Sequence, residues 1–310
     1  MAVAGEGRGR LSGASEKAAG GRTPRGVACV LLGGSFWGLS GTCASYLFAA
    51  AGVDAVWLVC VRQFLAGMLF LAYAAAFQQD RLHALARSPR DLAVVVAYAV
   101  FGLVVNQYSY LITIEHTNSG TATVLQCLQL VVIMAYSCAS ARRRPSAREA
   151  AGLVLALAGT YLIATGGNPT SLVLPAAGLA FGLLSAVGGG MLTIIPIRIL
   201  PSYGTPVIIG VGMLLSSVGA APFVRPWESL PAFDATSAVV FAVFVVAGTF
   251  LAQLLYMQGV VDLGPVRASL LATSEPVAAT VSSVLAMGVV FAATDLAGFA
   301  LILVMMFLVA

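Results

Sequence analysis

The chain has 310 residues, of which 60% are hydrophobic and only 9% charged, and its formal net charge is +4. With a mean hydropathy of +0.97, it has too little charge to cover the surface of a water-soluble domain, which excludes soluble enzymes and nucleic-acid-binding modules. Long apolar runs with few charges read instead as membrane-spanning helices, each needing roughly 20 residues to cross the bilayer.

The first 24 residues are dominated by Gly, Ala, Ser and basic side chains without an apolar core, so they do not form a signal peptide. Residues 1–25 are expected to be a disordered basic cytoplasmic tail, with the first apolar run acting as an uncleaved signal anchor. Ten apolar runs follow, at 26–48, 54–77, 92–112, 118–140, 149–166, 174–198, 204–224, 236–259, 264–286 and 294–310. The first holds Trp37 and a Gly34–Gly38 pair, whose small side chains allow close helix approach. The second begins near Trp57, read with Trp227 as an interfacial anchor. Arg62 lies deep in this run, followed by Gln63. Three roles are open to Arg62: binding an anionic substrate group or pairing with Glu275, snorkelling to the outer surface, or holding helix ends through backbone carbonyls.

The third run carries Asn106, Gln107 and Tyr110, and the fourth carries Gln126 and Gln129 on one helical face. The sixth contains Gly188-Gly189-Gly190, and the eighth contains Gln253, Tyr256 and Gln258. The ninth places Glu275, followed by Pro276, near the middle of an apolar stretch. A carboxylate there is costly and functional by default, suited to proton binding or to pairing with a cationic group; structural hydrogen bonding is the alternative. Pro276 has no N–H and is expected to leave the carbonyl of Ala272 free, which a kinked helix tolerates beside a cavity. The tenth run stops at Ala310 without a polar tail, so a C-terminal extension is expected. The five cysteines, Cys29, Cys43, Cys60, Cys127 and Cys138, lack metal-ligand spacing and read as small buried hydrophobes. No phosphate loop, metal cluster or nucleophile–His pattern appears, so neither cofactor nor enzymatic activity is expected.

The segment Thr121–Val131 recurs as Arg267–Val277, 146 residues later. The same offset pairs Gly102 with Gly248, Gln107 with Gln253, Tyr110 with Tyr256, Gln129 with Glu275 and Gly152 with Gly298. Two halves of five helices each must enter the membrane in opposite senses, and inverted repeats place a substrate site near the midplane between them. Basic residues gather before run one (Arg8, Arg10, Lys17, Arg22, Arg25), between runs two and three (Arg81, Arg87, Arg90) and between four and five (Arg142, Arg143, Arg144, Arg148). These sites share one side if ten helices are counted, which puts both termini in the cytoplasm.

On Phe36-Trp37-Gly38, Arg62 with Ala66, Glu275-Pro276-Val277 and the Gly152 and Gly298 patterns, the chain resembles the EamA family of the drug/metabolite transporter superfamily. The resemblance covers roughly residues 26–310 as two repeats, 26–166 and 174–310. It implies an all-α membrane protein with a central cavity and alternating access, a secondary transporter of small metabolites such as amino acids, often an exporter. Gln129-Leu130 stands where such proteins often have a Pro-containing step, and Val289 where an acidic residue is often found. The expected partners are a small-molecule substrate and membrane lipids, with proton coupling through Glu275, in the cell membrane. The expected substrate-binding set is Trp37, Arg62, Asn106, Gln107, Tyr110, Gln126, Gln129, Gln253, Tyr256 and Glu275. A scaffold or sensor without transport is the rival reading; an intramembrane enzyme is a weaker one.

Overall fold

A computed structural model describes residues 6–168, 172–263, 268 and 271–309. The described residues form helices and their connections, with no strand among them. Eight of these helices are long and apolar enough to cross a membrane, which makes the chain a multi-pass membrane protein. Among the described residues the ninth and tenth apolar runs give shorter helices, and part of the ninth run lies outside them. Arg267, Ser269 and Leu270 of the sequence echo lie outside the described residues.

Helix α1 (Glu6–Ala51) carries helical backbone back into the stretch expected to be a disordered tail, and its apolar part is Pro24–Ala51. Asp54 then caps α2 (Ala55–Phe77), its carboxylate accepting 2.9 Å hydrogen bonds from the N–H groups of Val56 and Trp57. That cap satisfies donors which a helix end otherwise leaves unpaired. A short helix, α3 (Gln79–Ala86), leads to a composite span: α4 (Pro89–Ala97), a π-helical segment (Tyr98–Val104) and α5 (Val105–His116). The next span is broken, with α6 (Ser119–Gln126) and α7 (Gln129–Ser140) flanking a turn at Cys127-Leu128. Helix α8 (Ala147–Thr165) starts with a reciprocal cap in which Ser146 and Glu149 each bond the other's backbone, while Arg143 grips the Glu149 carboxylate at 2.6 and 2.7 Å.

The rest of the chain follows a related plan. Helix α9 (Ala176–Ile194) passes through a 3-10 turn (Ile195–Arg198) into α10 (Leu200–Tyr203), and α11 (Thr205–Val224) follows. A second composite span joins α12 (Ala235–Val245), a π-helical segment (Val246–Leu251) and α13 (Ala252–Leu263). Two shorter helices close the chain, α14 (Ser274–Met287; 14 residues) and α15 (Ala293–Val309; 17 residues). A turn at Ala272-Thr273 precedes α14.

Packing ties distant segments together: α1 with α13 and α14, α2 with α11, α5 and α7 with α9, and α8 with α15. Backbone contact at small residues sets the last pair. A Cβ built on Gly159 would stand 2.8 Å from the Gly298 carbonyl oxygen, and one on Gly298 would stand 2.8 Å from that of Gly159. Two apolar cores result. The larger holds Leu58, Phe70, Leu111, Ile208 and Phe244, and the smaller holds Leu125, Ala156, Phe299 and Ile302. Trp57 belongs to the larger core rather than to a lipid interface. It is buried against Phe233 and Phe241 and donates its indole N–H to the Pro226 carbonyl at 2.9 Å, a contact that satisfies its one polar atom. Trp227, by contrast, is exposed.

Candidate functional site

Four of the expected residues form one hydrogen-bonded chain across α2, α5, α6 and α9. The Arg62 guanidinium donates through Nη2 to Oε1 of Gln107. Gln107 Nε2 donates to Oδ1 of Asn106 at 3.1 Å, and Gln126 Nε2 reaches the same oxygen at 3.2 Å. Asn106 Nδ2 donates in turn to the Ser185 carbonyl at 2.8 Å. Asn106 is fully buried, and burial without such partners would be costly. Gly188 and Gly189 let α9 come close enough: a Cβ on Gly188 would fall 2.9 Å from Asn106 Cβ, and one on Gly189 would fall 3.1 Å from Gln129 Cβ. Gln129 thus lies against the same stretch of α9. Three of the amides expected to line an open cavity, Asn106, Gln107 and Gln126, bond to one another in this conformation.

Arg62 does not snorkel. Its side chain is 5% exposed, and its guanidinium carbon stands 4.8 Å over the Phe244 ring of α12. Nε has no hydrogen-bond partner, and no carboxylate lies within ion-pair distance among the described residues. On the same turn, Gln63 is fully buried with neither amide atom bonded.

Trp37, Tyr110 and Tyr256 gather around Glu275. It lies half-buried in the first turn of α14, where the helix dipole favours a negative charge. Pro276 is buried behind it, but the expected free carbonyl is not there: Ala272 O accepts from the Glu275 N–H at 3.0 Å, a tighter bond that replaces the one proline cannot make. Helix α1 approaches this turn at Gly34 and Gly38. A Cβ on Gly34 would stand 3.4 Å from Glu275 N, and one on Gly38 would stand 2.6 Å from Ala279 N. Trp37, on the same helix, packs its ring 5.1 Å from that of Tyr256. Tyr256 and Tyr110 are both within electrostatic reach of Glu275, and Tyr110 is also within reach of Arg62. The Tyr110 hydroxyl shares a 2.8 Å hydrogen bond with Thr123 Oγ1. Among the described residues the Glu275 carboxylate has neither ion-pair nor hydrogen-bond partner, and Arg62 and Glu275 are not paired. Gln253 lies half-buried on α13 and joins neither group through a hydrogen bond.

Several participants carry no sequence signal of their own. Phe244 sits in a uniformly apolar run, Ser185 contributes only its carbonyl, and Thr123 is one of many hydroxyls. A further cluster joins Thr42 of α1 to Ser119 of α6 at 3.1 Å and to Ser282 of α14 at 2.6 Å, with Ser119 and Ser283 2.6 Å apart. Near the start of the apolar part of α1, Arg25 pairs with the buried carboxylate of Asp262 on α13 at 3.6 Å.

A protein of Salmonella typhimurium described as an uncharacterized inner membrane transporter, YicL, is 31% identical over 91% of this chain and 94% of its own length. A crystal structure covering 93% of this chain and 97% of its own matches with a TM-score of 0.61 at 16% identity, which bears on the fold alone. The model of the EamA-like transporter family matches residues 24–165. Taken with the apolar spans and the relative matched along nearly its whole length, this shows that the chain belongs to the EamA-like transporter family.

Proposed function

We propose that the protein is a secondary active transporter of small metabolites, amino acids or related amphiphilic compounds. It works by alternating access in the cell (inner or plasma) membrane with both termini cytoplasmic, and its two five-helix halves, 26–166 and 174–310, are inverted relative to each other. One observation carries this reading: the irregular backbone falls at matching places in the two halves. The 146-residue offset carries the π segment Tyr98–Val104 onto 244–250, overlapping the π segment Val246–Leu251. It carries Cys127 onto Thr273, so the break in the fourth span meets the turn before α14.

The packing has the same form. The contact of α1 with α13 mirrors that of α9 with α5, and the contact of α1 with α14 mirrors that of α9 with α7. Broken helices at matching positions of two halves are how transporters build a midplane site that each half can open in turn. Trp37, Arg62, Asn106, Gln107, Tyr110, Gln126, Gln129, Gln253, Tyr256 and Glu275 are the proposed substrate-facing set, with Glu275 as the recognition or proton-coupling group.

The test is exchange of labelled compounds in proteoliposomes preloaded with a mixed amino-acid and amine pool, with and without a proton gradient. Wild type should exchange at least one labelled compound. Glu275→Gln should lose gradient-driven uptake while keeping exchange if Glu275 carries the proton, and should lose both if it binds substrate. Folded protein that exchanges nothing across the panel would count against transport of this class and favour the scaffold reading.

A further inference from the structure

Resting on the transport reading, we infer that Arg62 is a carboxylate subsite, that Gln107 holds the place of the ligand's oxygen while the site is empty, and that the substrates are carboxylate-bearing. Arg62 is buried with one hydrogen bond from Nη2, an unbonded Nε and no acidic partner among the described residues. An ion removed from water needs a counter-charge or a full set of hydrogen bonds, and a guanidinium offers five donors in a fork that fits two carboxylate oxygens. Gln107 Oε1 supplies one neutral acceptor where a carboxylate would supply two charged ones, so exchanging the amide for the ligand strengthens the contact.

The amide is also free to retreat, because Gln107 already donates to Asn106 Oδ1. Access has a candidate route. Phe244, which covers the guanidinium, sits just ahead of the π segment Val246–Leu251, where the backbone is least regular. Motion of α12 relative to α2 therefore uncovers Arg62. Glu275, which holds no counter-ion among the described residues, leaves a place for an amino group on the same ligand. Tyr110 lies within electrostatic reach of both charges.

The experiment uses the full chain, purified in detergent and reconstituted, as wild type, Arg62→Met and Arg62→Lys. Thermal unfolding is followed with L-leucine, leucine methyl ester and isopentylamine, and with the matching acid, ester and amine of the phenylalanine skeleton. A ligand that binds only the folded state raises its melting temperature. The expected result is a shift with the acids and not with the esters or amines. That shift should weaken by about tenfold or more in affinity in Arg62→Met, the loss of one charged hydrogen bond, and return in part in Arg62→Lys. Equal shifts with acids and esters, or acid binding that survives Arg62→Met, would overturn the inference.

Should none of the six compounds shift the melting temperature or exchange, the amino-acid form of the transport reading falls, and ligand-free stability alone decides the role of Arg62. A buried charge kept for a ligand burdens the empty protein, so Arg62→Met would melt at or above wild type. A melting temperature lowered by roughly 2 °C or more would mark Arg62 as structural and remove the subsite.

Discussion

Arg62 and Glu275 carry opposite charges into apolar surroundings without touching, and neither has an ion partner among the described residues. Intramembrane charge is costly enough that its mere presence in the sequence marked both positions. What surrounds them was not legible, because burial by Phe244 or by Gly38 depends on helices about 180 and 240 residues away in the chain. Gly38 gives a sharp test of that second contact. A Cβ there would stand 2.9 Å from Ala278 Cβ and 2.6 Å from Ala279 N, so Gly38→Ala must push α14 away from α1. Such overpacking costs about 1–3 kcal/mol. Gly38→Ala is expected to lower the melting temperature and to impair gradient-driven uptake as strongly as Glu275→Gln does, whereas alanine at the open position Gly219 should change neither. Wild-type melting and uptake in Gly38→Ala would show that the α1–α14 contact does not set the position of Glu275.

At the scale of elements, the two π segments and the two broken spans are where backbone order is weakest. Their places in the chain were visible only as a faint echo of glycines and amides, since a π turn arises from tertiary packing and has no composition of its own. A π turn is an α-helix with one residue added, so removing one residue should restore regular helix without rotating the flanks. Val100 and Val246 suit this test because both side chains are exposed on the outside of the bundle. Deleting either is expected to leave a folded protein with exchange reduced about tenfold or more, as expected when a conformational step is hindered. Undiminished exchange in both deletions would separate the π turns from the transport cycle. A small apolar cavity of about 40 Å³ lies between Phe36 and Cys43 of α1 and Ala247 of the second π segment. The Thr42–Ser119–Ser282–Ser283 cluster fastens α1 and α6 to α14. Interhelical bonds of this kind are worth about 0.6–2 kcal/mol each. Thr42→Val therefore should lower the melting temperature modestly and raise the reactivity of a cysteine placed at Ser282; unchanged reactivity would mean the cluster does not hold that end closed.

For the whole molecule, membrane class followed directly from composition, because hydropathy reports on each run separately and needs no tertiary information. The breaks in the spans did not, since the turn at Ala272-Thr273 ahead of α14 has no hydropathy signature of its own. Orientation is testable by fusing a cytoplasm-only and a periplasm-only reporter after Arg148 and after Trp227. The basic loop containing Arg142, Arg143 and Arg144 should light the cytoplasmic reporter and the Trp227 loop the other, while the reverse pattern would invert the topology. The shortness of α14 also bears on how the chain is made. At 14 residues, with a carboxylate, a proline and three serines, α14 is a poor candidate to leave the translocation channel for lipid unaided. The helix that shields it, α1, is synthesised more than 200 residues earlier and presents Gly34, Gly38 and Thr42 to it. Biogenesis must therefore hold α1 accessible until α14 is made, so that the least greasy segment enters the bilayer against a partner already in place.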